Sequence, residues 1–409
     1  MPTPGLRGMS RTMARLAVVT THPIQYNAPL FAELARREGV EPRVFYTWSQ
    51  TREGGQYDPD FGRRVEWDVP LLEGYEHVFV RNTARRPGSD RFFGIVNPGL
   101  VAELERWGPD AILVYTWAHF SHLSVMRRFK GRVPILFRGD STLIDQRAGI
   151  RSVLRGLLLR RVYAQVDMAL DVGVRNRAYY RAFGFGDDRL CRAPHAVDND
   201  RFSRPGAGAE ASARAWRREL GISDEDKVVL FCGKLEAKKD PGCLTRLAAM
   251  NPSERLRFLF VGEGHLLDRL REEASGDARV QFLGFQNQGS LPIVYRMADI
   301  LLLPSLYNET WGLVVNEAMA CGRPVIVSDR AGCAPDLVEE GLTGWTYPPG
   351  SDGERKLSNI LAAVLVGEVD LTEMGARAAR KVASYSIEAA ADGVVEALQR
   401  LVPHHQPQC

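Results

Sequence analysis

The sequence has few of the features that mark secreted, membrane-spanning or nucleic-acid-binding proteins. Only six of its 409 residues are cysteine, and they form no Cys-x-x-Cys pair and have no nearby histidine at metal-ligand spacing. No apolar run approaches the roughly 20 residues needed to span a bilayer. The net charge of +3 is too small to indicate nucleic-acid binding. These absences predict a reduced, cytoplasmic protein that contains no structural zinc.

The composition that remains is that of an ordinary globular protein. Hydrophobic residues make up 45% and charged residues 25% of a chain long enough for two or three domains. The first twelve residues lack the apolar stretch of a signal peptide. Because the first strand is expected to begin near Arg15, residues 1–14 are predicted to form a flexible tail.

One stretch, residues 298–329, organises the rest of the chain. Ile300–Leu303 is an apolar run with no helical period, which predicts a buried parallel strand. Leu313–Ala320 is predicted to follow as a helix. The loop between them, residues 307–312, therefore lies at the carboxyl end of a strand, where α/β sheets bind ligands, and at a helix start, where backbone amides favour phosphate.

Two acidic residues bracket this helix start. Glu309 and Glu317 stand eight positions apart, so both can face one ligand. An ionised carboxylate only accepts hydrogen bonds, which suits sugar hydroxyls and does not suit phosphate. The alternative is that Glu317 is a solvated helix residue and Glu309 a loop charge, and the spacing alone does not decide between the two.

Residues 309–325 resemble the signature of glycosyltransferase family 4. In that signature two glutamates flank a Gly-containing turn, and the helix continues as Glu-Ala-Met-Ala-x-Gly-x-Pro-Val, which here runs from Glu317 to Val325. The resemblance implies an α/β protein with the GT-B fold: two Rossmann-like, doubly wound parallel-sheet domains that face each other across a cleft. It also implies a retaining glycosyltransferase whose second domain holds a nucleotide sugar.

The resemblance divides the chain into four parts. After the tail, residues 15–200 are expected to form an acceptor domain and residues 201–384 a donor domain. Residues 385–409 are expected to form a helix that returns to the first domain, followed by a short tail. The donor would be a nucleoside diphosphate sugar such as a UDP-sugar, and the expected setting is polysaccharide, glycolipid or glycosylated-metabolite biosynthesis.

A basic turn after a predicted strand is the main candidate for binding the donor diphosphate. In the family, a basic residue directly after a glycine and a lysine five positions later contact the diphosphate, and here they are Lys234, after Gly233, and Lys239. Fixed cations stabilise the charge that develops on the leaving group, so both lysines are catalytic candidates. Lys238 is the alternative within the same turn, and lysines that serve only solubility are the other interpretation.

The resemblance implies further donor contacts. Gly262 and Gly264 match a Val-Gly-x-Gly turn in which backbone approaches the nucleotide closely, and Phe285 borders the base. Glu309, the remaining catalytic candidate of this domain, contacts hydroxyls of the transferred sugar, and Glu317 contacts the ribose. The expected phosphate-binding residues are Thr310, Trp311, Gly312 and Leu313.

The first domain offers weaker acceptor-side candidates. The loop after its first strand lacks the glycines of a phosphate loop, and His22 and Gln25 are its available polar groups. Relatives place a histidine where Arg138 follows a predicted strand at 134–137; a guanidinium there can clamp a hydroxyl or an acidic acceptor, so Arg138 is a catalytic candidate. His119 is a further candidate. His22 as a merely exposed residue remains the alternative.

Two other patterns have both a functional and a structural interpretation. Asp198-Asn199-Asp200 has the form of a metal-binding DxD motif, but its place at a domain junction favours a linker, so neither a metal nor another cofactor is expected. The basic stretch from Arg151 to Gln165 reads as an amphipathic helix that can rest on an anionic membrane surface, including the inner face of the membrane. A helix that covers the sheet and solvates its charged face is the favoured alternative.

Other functions compatible with the sequence are a catalytically inactive nucleotide-sugar-binding subunit and a GT-B epimerase or phosphorylase. The replacement of the usual histidine by Arg138 favours the inactive subunit, whereas the retained lysines and glutamates favour the transferase. Motifs do not specify the donor base, the sugar or the acceptor, which include glycan, lipid-linked and small-metabolite hydroxyls.

Overall fold

A computed structural model describes residues 13–48, 56–58, 63–146, 149–204, 206 and 208–402 of the chain. The predicted N-terminal tail lies outside these residues up to position 12, and so does the end of the predicted C-terminal tail from position 403. Strands and helices alternate through most of the described chain and build two lobes, each around a parallel sheet.

The N-terminal lobe follows from short apolar runs that alternate with amphipathic helices. Its elements are β1 (Ala14–Thr20), α1 (Ala28–Arg36), β2 (Val40–Tyr46), β3 (Gln56–Asp58), β4 (Arg63–Val65), β5 (Glu76–Phe79), α2 (Leu100–Trp107), β6 (Ala111–Tyr115), α3 (Phe120–Phe129), β7 (Ile135–Arg138), α4 (Ile150–Tyr163), β8 (Met168–Asp171), α5 (Val174–Ala182) and β9 (Leu190–Arg192). Seven strands pair in the order β5-β2-β1-β6-β7-β8-β9, and β3 pairs with β4 as a separate antiparallel hairpin.

Helices cover both faces of this sheet, because successive side chains along β1 are apolar and point to opposite faces. Leu16 and Val18 join the core formed with α1, while Ala17 and Val19 join the core formed with α2 and α3. Val19 pairs in parallel register with Phe45 and Val114, so the carboxyl ends of neighbouring strands share one edge.

The C-terminal lobe repeats this plan. Its elements are α6 (Asn199–Ser203), α7 (Ala209–Glu219), β10 (Lys227–Cys232), α8 (Gly242–Met250), β11 (Leu256–Val261), α9 (Leu267–Glu273), β12 (Val280–Phe282), α10 (Leu291–Met297), β13 (Ile300–Leu303), α11 (Leu313–Ala320), β14 (Val325–Ser328), α12 (Ala334–Leu337), β15 (Gly344–Tyr347), α13 (Ser351–Leu365), α14 (Leu371–Val382) and α15 (Ile387–Leu401). Six strands pair in the order β12-β11-β10-β13-β14-β15.

Each sheet reverses its strand order at one place, between β1 and β6 in the first lobe and between β10 and β13 in the second. Ligands of open α/β sheets bind outside the strand ends at such a switch point. The loops that follow β1, β10 and β13 therefore mark where the functional cleft should lie.

The final helix returns to the first lobe, as predicted. Helix α15 packs on α1 and β9, where the Cys191 thiol donates to the Gly393 carbonyl at 3.3 Å. A Cβ on Gly393 would lie 1.8 Å from the Arg192 carbonyl oxygen, so only glycine permits this approach. Together with the two sheets, this crossing confirms the predicted doubly wound, two-lobed architecture.

Two local predictions differ from the structure. The strand predicted at 134–137 is shifted by one residue, so Arg138 is the last residue of β7 and is buried rather than in the loop that follows. Helix α4 was expected to turn its apolar side to the sheet, but Val153, Leu157 and Leu158 are exposed. The helix does cover the sheet, as the favoured interpretation expects, but it does so through Leu159, Val162 and Tyr163 and not through those three residues.

Candidate functional site

A cleft of about 410 Å³ opens between the lobes at their switch points. The first lobe contributes the loop that follows β1, and the second contributes the turns after β10 and β11 and one side of α11. Eight of the predicted site residues line it: His22, Gln25, Gly233, Lys234, Lys239, Gly262, Phe285 and Glu317. The structure thus gathers residues separated by almost 300 positions into one cavity.

Lys239 and Glu309 form the most closely held charged pair of this site. The Lys239 ammonium donates to Glu309 Oε2 at 2.7 Å, and the Ser305 hydroxyl donates to the same oxygen at 2.9 Å. The two charged side chains are only 15% and 13% exposed, so solvent screens the pair weakly. Both hydrogen bonds fall on Oε2, and Oε1 takes part in neither. The pair joins the turn after β10 to the loop after β13.

The structure also distinguishes among the three lysines of the basic turn. Lys234, Lys238 and Lys239 all line the cleft. The Lys238 ammonium lies 3.2 Å from Glu236 Oε1 and is 37% exposed, whereas Lys239 is held deep in the cleft by Glu309. The more buried position of Lys239 makes it the stronger candidate of the two, and its role in binding a diphosphate stays a prediction.

Two glycines allow the turns of the second lobe to touch. A Cβ on Gly262, where φ is +130°, would lie 1.9 Å from the Gly233 carbonyl oxygen, and one on Gly264 would lie 2.5 Å from the Leu235 carbonyl oxygen. The sequence motif was interpreted as backbone that approaches a nucleotide. In the structure the same glycines first let two loops pack, and only Gly262 lines the cleft.

Glu317 is buried on α11 and joins the two lobes. Its Oε1 accepts from the Tyr26 hydroxyl of the first lobe at 3.0 Å, and its Oε2 accepts from the Tyr295 hydroxyl at 2.5 Å. Burial raises the pKa of this carboxyl, although both tyrosine hydrogen bonds oppose the shift. With 1% exposure, Glu317 is not the solvated helix residue of the alternative interpretation.

The loop after β13 turns its side chains away from the cleft. The Thr310 hydroxyl donates to Asp140 Oδ2 at 2.7 Å, and the buried Trp311 donates to Asn316 Oδ1 at 2.8 Å. Gly312, at φ +103°, faces Leu303 so closely that a Cβ would lie 2.6 Å from it. None of these loop residues, nor Leu313, is among the described residues that line the cleft. Any phosphate contact there comes from backbone N–H groups.

Arg138 does not fit its predicted catalytic role. It is 5% exposed, and its guanidinium donates to the carbonyl oxygens of Ala193 at 2.7 Å and Pro194 at 3.0 Å. The side chain therefore fastens the end of β7 to the junction between the lobes. His119 is also buried, at the start of α3 beside His122, and does not line the cleft.

His22 is a cleft residue rather than an exposed loop residue. Its Nδ1 lies 3.0 Å from the Thr21 hydroxyl, and its ring meets Trp48 edge-on at 5.4 Å. Burial, together with the nearby His119, lowers the pKa of His22 to about 4. The imidazole is therefore neutral at pH 7 and offers hydrogen bonds without charge.

Sequence reasoning missed a second contact between the lobes, in which Asp140 accepts from Thr310 beside His195 of the junction. His195 Nε2 lies 3.9 Å from Asp140 Oδ2, and its ring lies 5.6 Å from the Trp311 ring. Burial alone would raise the pKa of Asp140, but the nearby His195 and the hydrogen bond from Thr310 leave it below its usual value. The available signal was the place of Asp140, two residues beyond the end of a parallel strand.

The described residues contain one cluster with metal-ligand chemistry, formed by Asp240, Cys243 and Glu354. Both carboxylates accept hydrogen bonds of 2.7 Å from Arg246, which already supplies the positive charge. Burial raises the pKa of the Cys243 thiol to about 12, so it is protonated at pH 7. Asp198 of the DxD-like triplet accepts from the Arg201 N–H and caps α6. Neither place indicates a metal centre.

A larger groove of about 780 Å³ lies between α1, α6 and the start of α15. Its lining mixes Arg36 and Arg204 with Glu73, Asp200 and Glu388, and among the residues that the structure describes no glycine turn or strand end opens into it. The smaller cleft between the switch points is therefore the better candidate site.

Comparisons with known proteins agree with this placement. Residues 212–382 match the family model described as glycosyl transferases group 1. Over 396 residues the chain is 31% identical to the D-inositol 3-phosphate glycosyltransferase of Nocardia farcinica, covering 89% of this chain and 81% of that one. It is 33% identical over 405 residues to the enzyme of the same name from Mycobacterium bovis, covering 92% and 78%.

The fold is similar to that of a solved structure, Anabaena HepE in complex with UDP and glucose. The TM-score is 0.69 at 18% sequence identity, with 94% of this chain and 99% of that chain covered. Two facing doubly wound lobes with a shared cleft define the GT-B fold, and the family model and the curated relatives define the class as glycosyltransferase. The chain belongs to glycosyltransferase family 4, whose members share the group 1 domain matched here.

Proposed function

We propose that the protein is a retaining glycosyltransferase that moves a sugar from a nucleoside diphosphate to an acceptor hydroxyl. The observation that carries this proposal is the position of Lys239, which lines the cleft beside Lys234 and is fixed by Glu309 at 2.7 Å. Two ammonium groups on one wall match the two charges of a diphosphate. A bound UDP in the Anabaena neighbour makes UDP-sugars the first donors to test.

The two lysines stabilise the charge that develops when the glycosidic bond breaks. Because Glu309 holds Lys239 in place, little reorganisation is needed as the leaving diphosphate gains charge. In this proposal the other carboxylate oxygen of Glu309, Oε1, accepts from a hydroxyl of the transferred sugar. In the proposed front-face reaction the leaving phosphate assists the incoming hydroxyl, so no protein side chain acts as a separate base. Arg138 has no role in this step.

Glu317 binds the ribose in this proposal. Each carboxylate oxygen can accept two hydrogen bonds, so ribose hydroxyls can join those already donated by Tyr26 and Tyr295. The Tyr26 contact joins the first lobe to the donor wall. Donor binding is therefore expected to add to the contacts that hold the lobes together.

The acceptor binds from the first lobe, where His22 and Gln25 offer uncharged hydrogen-bonding groups. The curated relatives are named for D-inositol 3-phosphate, so this compound and unphosphorylated inositol form the first pair of acceptors to compare. Glycan, glycolipid and glycosylated-metabolite biosynthesis are the proposed settings. A cytoplasmic location is proposed because the described cysteines are all buried and free.

A donor screen by thermal shift, followed by a transfer assay, tests the proposal. A donor at 100 times its Kd should stabilise the protein by about 2.7 kcal/mol. Purified protein should then hydrolyse that donor slowly and transfer its sugar with retained configuration. A wild-type protein that binds donor but neither hydrolyses nor transfers it would instead be an inactive binding subunit. Conversion of the donor to its epimer without transfer would identify an epimerase.

A further inference from the structure

Helix α4 presents an apolar face to solvent. Among the described residues, large hydrophobic side chains are exposed at scattered positions, but five of them lie together on this one helix. Ile150, Val153, Leu154, Leu157 and Leu158 are between 52% and 81% exposed. These five residues are called the α4 face below. Contiguous apolar surface of this kind marks an interaction site in most soluble proteins.

The α4 face is separate from the side of the helix that packs on the protein core. Successive helical residues are rotated by about 100°, which places the five side chains on one side of the helix. The opposite side is the one that packs, because Leu159, Val162 and Tyr163 are buried against the sheet. A Cβ on Gly156 would lie 3.7 Å from Phe183, so the packed side fits closely. The helix therefore has a buried side and a separate apolar side.

Arginines surround the α4 face. Arg151 and Arg155 lie along one flank, Arg160 lies along the other, and Arg161 follows at its carboxyl end; all four are exposed. The helix itself contains no acidic residue. The surrounding residues 127–189 contain fourteen arginines and lysines but six acids, although the whole chain has a net charge of only +3. The part of the chain that contains the α4 face is thus strongly basic.

We propose that the α4 face docks on an anionic lipid surface. Apolar side chains flanked by arginines are the arrangement by which helices lie in the plane of a membrane interface. A second copy of this chain is a poorer partner, because a two-fold contact would bring the same arginines of both copies together. No described helix is long and apolar enough to cross a bilayer, so the attachment is peripheral.

The loop that precedes α4 lies against the donor-binding lobe. The chain runs from β7 into α4 through this loop, and its contacts with the second lobe include Asp140 accepting from Thr310 at 2.7 Å and Asp145 pairing with Arg330 at 2.8 Å. Membrane attachment through α4 would therefore hold the protein by its cleft-side edge. The proposal does not depend on the donor chemistry, because vesicle binding is measured without substrate.

Co-sedimentation with vesicles tests the proposal on the full chain. One set of vesicles is pure phosphatidylcholine, and the other is an equimolar mixture with anionic phosphatidylglycerol. The protein should bind the anionic set only, and binding should fall as salt rises. Arg151→Gln and Arg155→Gln should each weaken binding about fivefold, the effect of one basic residue at an anionic surface. The double variant Leu154→Gln/Leu157→Gln should abolish sedimentation.

Val366→Gln is the matched control, since Val366 is 72% exposed but lies in the second lobe, beyond the end of α13. It should bind vesicles like the wild type, and melting curves confirm that each variant is folded. Equal binding to both vesicle sets, or no binding at low salt, would overturn the proposal. A wild-type dimer that Leu154→Gln/Leu157→Gln converts to a monomer would also overturn it, in favour of self-association.

Discussion

The two walls of the cleft are built from the same strand-loop-helix unit but have different chemistry. The wall from the second lobe contains Lys234 and Lys239 on tightly packed glycine turns. The wall from the first lobe has no such glycine turn after β1 and instead presents His22, Gln25 and Tyr26. One wall is therefore cationic, while the polar groups of the other are uncharged at pH 7.

This difference explains how one fold used twice serves two substrates. A diphosphate needs fixed cations and backbone that approaches closely, which only the second lobe supplies. An alcohol needs neutral hydrogen-bonding groups that leave its hydroxyl nucleophilic. Glu317 connects the two walls because it accepts a hydrogen bond from Tyr26, so this contact depends on how the two lobes are placed relative to each other.

The largest expected effect comes from removing a lysine of the cationic wall. Lys239→Ala should lower the rate of sugar transfer about 100- to 1,000-fold, the usual cost of removing one preorganised group that stabilises developing charge. Lys238→Ala is the matched control and should change the rate no more than a few-fold, because Lys238 pairs with Glu236 rather than with Glu309. Steady-state kinetics with the best donor measure both. Equal losses in the two variants would contradict the assignment.

The packing of the glycine turns is tested by Gly262→Ala. The added methyl would lie 1.9 Å from the Gly233 carbonyl oxygen at a backbone φ of +130°, so the free energy of unfolding should fall by about 3 kcal/mol. Gly284→Ala is the control. Gly284 also has a positive φ, but at +67° it lies in the left-handed helical region, and its nearest neighbour is 3.9 Å away, so only about 1 kcal/mol should be lost. Urea denaturation measures both, and equal losses would show that the turns do not touch.

The first lobe should lose stability in acid because it buries neutral histidines. Burial lowers the pKa of His122 to about 4, below its unfolded value of 6.5, so the unfolded state binds more protons between these two pH values. Stability therefore falls as pH falls through this range, by about 2 kcal/mol at pH 5 from His122 alone. Urea denaturation at pH 7.5 and pH 5 measures this loss.

In His122→Gln, the free energy of unfolding should fall less between pH 7.5 and pH 5 than it does in the wild type. Comparing the two proteins also cancels the contribution of Glu317, whose raised pKa acts in the opposite direction. An unchanged pH profile would mean that His122 is accessible to protons in the folded state.

The smallest expected effect concerns the neutral wall. Gln25→Ala should raise the KM for the acceptor about fivefold, the effect of one neutral hydrogen bond, and leave donor hydrolysis unchanged. Gln286→Ala, on the opposite wall, is the counterpart and should alter donor affinity instead. If both variants changed the same kinetic constant, the division of substrates between the walls would be wrong.

Most of the fold could be predicted because local patterns determine it. The strand at 300–303 and the helix at 313–320 have the predicted bounds, since the strand is a continuous apolar run that is buried along its length. Strand β9 has three residues and β15 has no apolar run, so neither gives a periodic signal. The pairing of Lys239 with Glu309 follows from two turns at the ends of adjacent strands, which topology brings together.

Contacts that depend on how the lobes face each other could not be predicted. Tyr26 reaches Glu317 across 291 positions, and no local pattern relates the two. Arg138 was placed in a loop because its capture by the Ala193 and Pro194 carbonyl groups depends on the path of the interdomain junction. Helix α4 shows a similar limit: periodicity tells which residues share a side, but not which side meets the protein.

Isothermal titration calorimetry with a nucleoside diphosphate and its parent nucleoside tests most directly whether the lysines of the second lobe hold the diphosphate. Both compounds carry the nucleotide base of the donor that gives the largest thermal shift. The wild type should bind the diphosphate far more tightly, whereas Lys234→Ala/Lys239→Ala should bind the two compounds almost equally and keep the nucleoside affinity. A double variant that still prefers the diphosphate as strongly as the wild type would contradict the cationic wall.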